Sequence, residues 1–350
     1  MSPSGFTTIP IIDLARAKNP EKRPELLREL RYVLTNVGFL YISSHGVPDA
    51  AIQDLMDALP RLFSLSTEEK AEVALNNSPQ FLGYSGAGAE KTAGKLDQRE
   101  QFEFATELRV DWNEGKPLYE RLKGPNQGNA ALRPVVENYI SELTRLSENF
   151  LLLVAEALAL EPTTFLPFLS DQHRLKLVHY PTSKSGADQG VGPHKDSSGW
   201  WTFLLQASPP HIKGLQALNK SGDWIDVPNI PGTFVVNIGQ GFEVVTNGVC
   251  KATTHRVLSG TDHRYSVPFF QGMRRDLTKA EAVGTLKAHF ESEDFASGVE
   301  SKEGRDIDSA FLRGKYDTWG ETQLRTKIRS HRDVGRKFYA DVFDKYTSDD

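Results

Sequence analysis

Six short apolar runs between residues 174 and 270 constrain the fold more than any other feature of the sequence. Each run is rich in β-branched or aromatic residues, and Gly, Pro, Asn or Asp separates it from the next. Short strands bounded by turn residues are typical of β-sandwiches and jelly rolls, and few helices fit between these runs, which disfavours βαβ units. The sequence therefore predicts a mainly β core. The runs are RLKLVHYP, WWTFLLQ, GLQALN, TFVVNIG, THRVLSG and RYSVPFF.

Helical patterns flank this block on both sides. Apolar residues recur at helical spacing over 24–38, 49–75 and 138–162, and a charged helical pattern returns over 316–346. Gly38 is a natural end for the first helix, Ser66 with Glu69 fits a capping box, and Pro162 ends the third. We expect a helical N-terminal region with short strands over residues 1–165, packed on a jelly-roll core with a C-terminal helix over 166–350. The two regions are predicted to form one structural unit.

Composition excludes several classes of function. The 350 residues carry 41 Lys and Arg against 46 Asp and Glu, a net charge of −5, so no excess of positive charge attracts nucleic acid. No apolar run approaches the roughly 20 residues of a membrane helix, and the first residues lack the pattern of a signal peptide. Cys250 is the single cysteine, which excludes an internal disulfide and favours a cytoplasmic location. No obligate protein partner is evident.

A histidine and a carboxylate stand two positions apart just before the run WWTFLLQ. On an extended strand the side chains of His194 and Asp196 point the same way, and a bare carboxylate facing a core is costly unless it is paired or coordinated. His255 begins another predicted strand, which a jelly roll can place beside the first. Two histidines and one carboxylate occupy one face of an octahedral metal and are the ligands of non-haem Fe(II) oxygenases. The alternatives are polarity at a strand end and a hydrogen-bonded core histidine.

Arg264 and Ser266 lie two positions apart within the apolar run RYSVPFF. They share a face of the predicted strand, and a guanidinium in such a place needs a carboxylate, which it binds through two parallel hydrogen bonds. That carboxylate belongs either to a ligand or, in a buried salt bridge, to the protein itself.

Together these stretches resemble the Fe(II)- and 2-oxoglutarate-dependent dioxygenases related to isopenicillin N synthase. The resemblance rests on HKD at 194–196, on NIGQGFEVVTNGVCKATTHRVLSGTDHRYSVPFF, and on IPIIDLA and GFLYISSHGVP near the N-terminus, so it spans most of residues 9–272. It implies a distorted double-stranded β-helix (jelly roll). It further implies Fe(II) on His194, Asp196 and His255, and 2-oxoglutarate held by Arg264 and Ser266 close to Tyr180. O2 is then the other cosubstrate, and ascorbate the reductant needed in vitro.

The chain departs from the family pattern around the tyrosine. Val178 and His179 stand where the family often has asparagine and tyrosine, and Gln240 replaces a frequent aspartate. None of these positions is an implied iron ligand.

A Gly- and Ala-rich stretch over 83–95 contains EKTAG, which resembles a loop of the ethylene-forming enzyme of this family. There a glutamate and a threonine hold the guanidinium of L-arginine, which makes Glu90 and Thr92 candidate substrate residues, with Arg313 as a further match. From composition alone, Glu90 in an irregular loop is expected to be a solvated charge. Trp200, beside the implied ligands, is a candidate for the pocket wall.

The leading interpretation is an Fe(II)- and 2-oxoglutarate-dependent oxygenase that hydroxylates, desaturates or otherwise oxidises a small molecule of specialised metabolism and releases succinate and CO2. Three alternatives stay open. They are conversion of 2-oxoglutarate to ethylene with arginine hydroxylation, a 2-oxoglutarate-independent oxidation like that of isopenicillin N synthase, and a non-catalytic carboxylate-binding module on the same fold.

Overall fold

A computed structural model of the chain describes residues 5–92, 94–110, 112–128, 132–183, 188–197, 199–296, 307 and 309–348. Its strands are β1 Ile11–Asp13, β2 Phe39–Ser43, β3 Gly83–Ser85, β4 Lys91–Thr92, β5 Lys95–Leu96, β6 Glu100–Ala105, β7 Arg174–Tyr180, β8 Gln189–His194, β9 Trp201–Gln206, β10 Leu215–Leu218, β11 Trp224–Asp226, β12 Phe234–Ile238, β13 His255–Leu258 and β14 Arg264–Gln271. Its α-helices are α1 Arg23–Asn36, α2 Asp49–Phe63, α3 Thr67–Glu72, α4 Arg133–Ala157, α5 Gln240–Val245, α6 Lys279–Gly284, α7 Lys287–Phe290, α8 Glu293–Ala296, α9 Ala310–Arg313, α10 Trp319–Ser330, α11 Arg332–Phe338 and α12 Ala340–Thr347. Short 3-10 turns lie at Leu14–Lys18, Leu75–Asn77, Leu118–Leu122 and Leu166–Phe168.

The N-terminal helices begin and end where local chemistry predicts. After α1 the chain turns at Gly38, whose φ of +70° suits glycine, and a Cβ there would lie 2.4 Å from the carbonyl oxygen of Lys251. The predicted capping box starts α3: the Ser66 hydroxyl accepts from the Glu69 backbone N–H at 3.2 Å, and the Glu69 carboxylate accepts from the Ser66 N–H at 2.8 Å. Both features connect sequence directly to local structure.

Helix α4 supports the sheet that carries the site. It begins earlier than predicted, because Pro134 is accommodated in its first turn, and it ends at Ala157, ahead of Pro162. Its apolar face packs against α1, α2, β9 and β14, and the ring of Phe150 meets Trp201 and Phe203 edge-on. The helix thus holds one side of β9, while the other side of that strand faces the interior.

Two sheets form the core. The larger has the order β1-β2-β12-β9-β14-β7-β6-β3, and the smaller has the order β11-β10-β13-β8. All pairs are antiparallel except β1 with β2. Residues of both sheets line one cavity, so the sheets face each other as layers of a sandwich. Strands from before residue 166 (β1, β2, β3 and β6) complete the large sheet, and the predicted boundary near 165 therefore passes through that sheet.

The stretch 83–95 is more regular than its composition suggested. Strand β3 pairs with β6 at the edge of the large sheet, and β4 pairs with β5 as a small hairpin. In the described part of the chain no helix is long and apolar enough to cross a membrane.

Candidate active site

The small sheet brings two histidines together. His194 is the last residue of β8 and His255 the first of β13, and the two are direct partners in the antiparallel register. Their ring centroids are 4.3 Å apart. The predicted proximity of these residues is therefore present. Strand β8 was not among the predicted strands, because Gly190, Gly192 and Pro193 hide its extended character.

Asp196 completes a group that could hold a metal ion. It lies two residues beyond the end of β8, and its Oδ1 is 3.5 Å from His194 Nε2 and 3.6 Å from His255 Nε2. One ligand atom from each of the three residues lies within 4.8 Å of the others. Two imidazoles and one carboxylate on one side of a cavity form a donor set that suits Fe(II) and leaves further positions open.

Backbone carbonyls orient both histidines. His194 Nδ1 lies 2.8 Å from the Gly192 carbonyl oxygen, and His255 Nδ1 lies 3.0 Å from that of Thr253. A carbonyl oxygen only accepts, so Nδ1 carries the hydrogen and the Nε2 lone pair faces the other two groups. Burial, together with His194, lowers the pKa of His255 to about 4. His255 is therefore neutral near pH 7, as a metal ligand must be.

Two polar side chains fix the Asp196 carboxylate. Its Oδ2 accepts from the Thr202 hydroxyl at 2.5 Å and from the Asn237 side-chain amide at 2.7 Å, which turns Oδ1 toward the histidines. Burial alone would raise the pKa of Asp196, but His255, His194 and Thr202 hold it well below its usual range. Sequence reasoning missed both donors, although each is a polar residue in a largely apolar strand.

Arg264, Ser266 and Tyr180 line the same cavity. Arg264 and Ser266 share a face of β14, and Tyr180 on β7 is paired with Arg264, whose Cζ lies 5.0 Å from the tyrosine ring centroid. Arg264 Nη2 donates to the Gln206 side chain at 3.3 Å, while no partner for its buried Nη1 occurs among the described residues. Burial lowers the pKa of Arg264, which still remains a cation. A buried guanidinium with a spare N–H is suited to a ligand carboxylate.

The cavity has a volume of about 260 Å³ and lies between the two sheets. Alternating side chains of β7 and β14 form much of one wall, as the period of two along a strand requires. The apolar part of the lining is Phe39, Val178, Val191, Leu204, Leu215, Val257, Pro268 and Phe270.

Basic residues missed by sequence reasoning line the other end of this cavity. Arg174 and Lys176 share the cavity-facing side of β7 with Val178 and Tyr180, and Lys327 reaches in from α10. The alternation in RLKLVHY was the available signal for the first two. Lys327 had none, because a lysine in a charged helix normally faces solvent.

Glu90 is not the solvated charge that its composition suggested. Its side chain is 14% exposed, and its carboxylate lies 2.5 Å from Arg99, 3.2 Å from His331 and 3.7 Å from Lys176. The Gln101 amide also donates to it at 3.0 Å. Burial would raise the pKa of Glu90, but Lys176, Arg99 and His331 hold it well below its usual range.

The other candidate substrate residues are separated by the fold. Thr92 lines the cavity and donates from its hydroxyl to Asp97 at 2.7 Å. Trp200 is fully buried and stacks on Phe168 with centroids 5.6 Å apart, so its indole fills the hydrophobic core and does not reach the cavity wall. Arg313 ends the short helix α9 and is likewise not part of that wall.

Comparison with known proteins identifies the family. Residues 9–130 match the N-terminal region of non-haem dioxygenases in morphine synthesis, and residues 172–272 match the 2OG-Fe(II) oxygenase superfamily. The chain is 42% identical over 344 residues to the 2-oxoglutarate-dependent dioxygenase frbJ of Dothideomycetidae sp. (strain 11243), covering 95% of this chain and 92% of that protein. It is 32% identical over 308 residues to homoarginine-6-hydroxylase 2-ODD-C23 of Glycine max, covering 81% and 90%.

The fold is similar to that of Neurospora crassa T7H in complex with alpha-KG. The TM-score is 0.68 at 22% identity, with 91% of this chain and 95% of that chain covered. The predicted jelly-roll core with flanking helices is therefore confirmed. The chain belongs to the 2OG-Fe(II) oxygenase superfamily and is an oxidoreductase that depends on Fe(II) and 2-oxoglutarate.

Proposed function

We propose that His194, Asp196 and His255 are the protein ligands of Fe(II). The observation that carries this proposal is that their ligand atoms lie within 4.8 Å of one another at the wall of the cavity between the two sheets. The hydrogen bonds at both Nδ1 atoms and at Asp196 Oδ2 support it, because they leave one lone pair of each residue facing a common point. Such outer contacts set the orientation and basicity of metal ligands.

Arg264, with Ser266 and Tyr180 beside it, binds the distal carboxylate of 2-oxoglutarate in this proposal. The spare Nη1 of Arg264 supports the assignment, since an unpaired buried donor costs about 1–3 kcal/mol until an acceptor arrives. Val178, Leu204 and Leu215 belong to the apolar lining of the same cavity, and an apolar lining strengthens the pairing of the guanidinium with a carboxylate.

With both groups bound, Fe(II), 2-oxoglutarate and O2 supply the oxidation of a substrate C–H bond, and succinate and CO2 leave as co-products. The chain's own residues bind, orient and shield the reactants. The cavity volume suits a small metabolite beside the cosubstrate, and we infer that the protein works on such a molecule in the cytoplasm.

Arginine-dependent ethylene formation is the second candidate. EKTAG motivates it, and the relatives named homoarginine-6-hydroxylases act on a guanidinium amino acid. However, this reaction requires Glu90 to accept from the substrate, and that carboxylate already has four partners within the protein. We therefore expect no arginine-dependent ethylene in the assay below, and ethylene that rises with L-arginine would establish this second candidate.

The test measures succinate and headspace ethylene from the purified protein with Fe(II), ascorbate, 2-oxoglutarate and air, with and without L-arginine. We expect succinate formation that H255A and D196A abolish, and a large increase in the KM for 2-oxoglutarate in R264K. R256L is the matched control, because Arg256 on β13 bonds Gln216 and covers Trp224 outside the cavity. Retained turnover in both H255A and D196A would refute the ligand assignment.

A further inference from the structure

A compact group of charges, here called the charged end, lies on β6, β7 and α10. It consists of Glu103, Arg174, Lys176 and Lys327, all of which line the cavity that contains His194, Asp196 and His255. Glu103 Oε1 accepts from Arg174 and from Lys327, each at 2.6 Å. Lys176 is paired with Glu103 across the two strands, and its Nζ lies 3.9 Å from Glu103 Oε2. The charged end is therefore part of the reaction chamber.

Only some of these groups have their hydrogen bonds satisfied within the protein. Arg174 also donates to the backbone carbonyls of Gln80, Phe81 and Leu122, so its role is structural. Within the described part of the chain, Glu103 Oε2 is buried without a hydrogen-bond partner, and Lys176 Nζ has its nearest carboxylate oxygen at 3.7 Å. Spare donors and a spare acceptor thus stand side by side.

The charge balance of the charged end calls for an anion. Glu103, whose side chain is 1% exposed, faces all three cations, and the Glu90 carboxylate lies 3.7 Å from Lys176, so three cations face two carboxylates and one positive charge is left over. Burial lowers the pKa of Lys327 to about 8, and Glu103 only partly offsets this effect. A buried ammonium group is costly until its hydrogen bonds are made. Lys327 is already paired with Glu103, but Lys176 has carboxylate oxygens only at 3.7 and 3.9 Å, so a ligand carboxylate beside Lys176 relieves a cost that the protein alone leaves in place.

Strand register separates the charged end from the cosubstrate clamp. Arg264 is paired with Tyr180, whereas Lys176 lies four residues further along β7, about 13 Å at the rise of a strand. One carboxylate cannot contact both Arg264 and Lys176, so the anion at the charged end belongs to a second ligand, other than 2-oxoglutarate's distal carboxylate.

We propose that this second ligand is the organic substrate and that it is a free α-amino acid. Lys176 and Lys327 bind its carboxylate, and Glu103 Oε2 accepts a hydrogen bond from its ammonium group. An α-amino acid carries an ammonium and a carboxylate group on one carbon atom, and the charged end presents a carboxylate and ammonium groups side by side to pair with them. This assignment rests on the proposed function, because it uses the cavity as the reaction chamber.

The test uses the full chain loaded with Fe(II) and 2-oxoglutarate without oxygen, titrated calorimetrically with the common L-amino acids, L-ornithine and L-homoarginine. Each amino acid that binds is compared with its des-amino acid and its decarboxylated amine, and succinate is then measured in air. We expect at least one amino acid to bind and to stimulate succinate formation. K176M and K327M should each weaken its binding about 10- to 100-fold, the loss of one charge-assisted hydrogen bond.

The matched control is K213M, because Lys213 is 69% exposed and lies outside the cavity. K213M should bind the amino acid as tightly as the unmodified protein does. The des-amino acid should bind at least tenfold more weakly than the amino acid, and E103Q should remove that difference. If the Tm of E103Q is much lower than that of the unmodified protein, E103Q is not used, and the proposal is tested by K176M, K327M and the series of analogues.

Absence of amino acid binding, equal binding in K176M and K327M, or equal binding of the amine overturns the proposal. Binding with the expected pattern but no succinate in air instead refutes the proposed function and leaves this site standing. Succinate formation without amino acid binding instead supports the proposed function and overturns the amino acid site.

Discussion

Removing the two donors to Asp196 Oδ2 should weaken metal binding without unfolding the protein. Thr202 and Asn237 hold that oxygen at 2.5 and 2.7 Å, so Oδ1 alone faces the histidines. The substitutions T202V and N237L keep each side chain close to its original size and remove only the donor. The carboxylate then gains freedom to rotate, and its lone pair loses its direction.

The size of the expected change in Fe(II) affinity follows from the hydrogen bonds that are removed. A hydrogen bond to a charged group contributes about 1.5–3 kcal/mol, and outer contacts of this kind change metal affinity about 10- to 100-fold. Each single substitution should raise the Kd for Fe(II) about tenfold, because one donor still holds the carboxylate. The double variant loses both constraints, and since the donors share one oxygen we expect more than the product of the single effects.

The assay is anaerobic competition for Fe(II) against a chelator, with the Tm of the metal-free protein as a measure of folding. T233V is the matched control. Thr233 immediately precedes β12, the strand of Asn237, and its hydroxyl donates to the Ile230 carbonyl at 2.7 Å outside the cavity. An unchanged Kd in the double variant, or an equal loss in T233V, would show that the orientation of Asp196 does not depend on these donors.

Two further predictions concern stability. Burial lowers the pKa of His173 to about 4 from 6.5, so the unfolded chain takes up a proton before the folded one does, and the free energy of unfolding should fall as the pH drops from 6.5 to 4. H173Q should reduce that slope by up to about 1.4 kcal/mol per pH unit in urea titrations, and an unchanged slope would contradict this account. G38A should destabilise the chain by more than G46A: both residues have positive φ, but only at Gly38 does an added Cβ meet backbone, at 2.4 Å. Equal losses in urea denaturation would mean that this contact relaxes freely.

Local patterns account for the parts of the site that lie on regular elements. Arg264 and Ser266 share a face because side chains alternate along a strand, and Gly38 ends a helix because the next turn needs positive φ. The pairing of His194 with His255 follows once the two strands are neighbours. For such features the sequence pattern and the structure agree because the cause is local.

The charged end was not predictable, because its contacts join distant parts of the chain. Lys327 and Glu103 are 224 residues apart, and each alone has the character of a surface charge. Glu90 is a similar case, since one of its partners, His331, lies far along the chain between α10 and α11. Only the contacts of Lys327 with Glu103 and of His331 with Glu90, made in the folded chain, turn these charges into a buried group.

Arg99 bears directly on the question of an arginine substrate. Its guanidinium lies 2.5 Å from Glu90, the residue that EKTAG assigns to the guanidinium of L-arginine, and both side chains are 14% exposed. The protein therefore supplies from its own chain the cation that this interpretation takes from the substrate. We expect no ethylene formation that depends on both L-arginine and Glu90.

The variant R99A tests whether Arg99 occupies the place that a substrate guanidinium would take beside Glu90. Removing one partner of a buried ion pair lowers the free energy of unfolding by about 3–5 kcal/mol. We expect a loss near the lower limit for R99A, because Lys176 and His331 still face Glu90. Millimolar methylguanidinium should then raise the Tm of R99A but not that of the unmodified protein, with sodium chloride of equal ionic strength as the control. Equal Tm shifts in both proteins would show that the removal of Arg99 does not create a guanidinium-binding site at Glu90. Ethylene that rises with L-arginine in the unmodified protein and is lost in E90Q would show instead that Arg99 yields its place to the substrate.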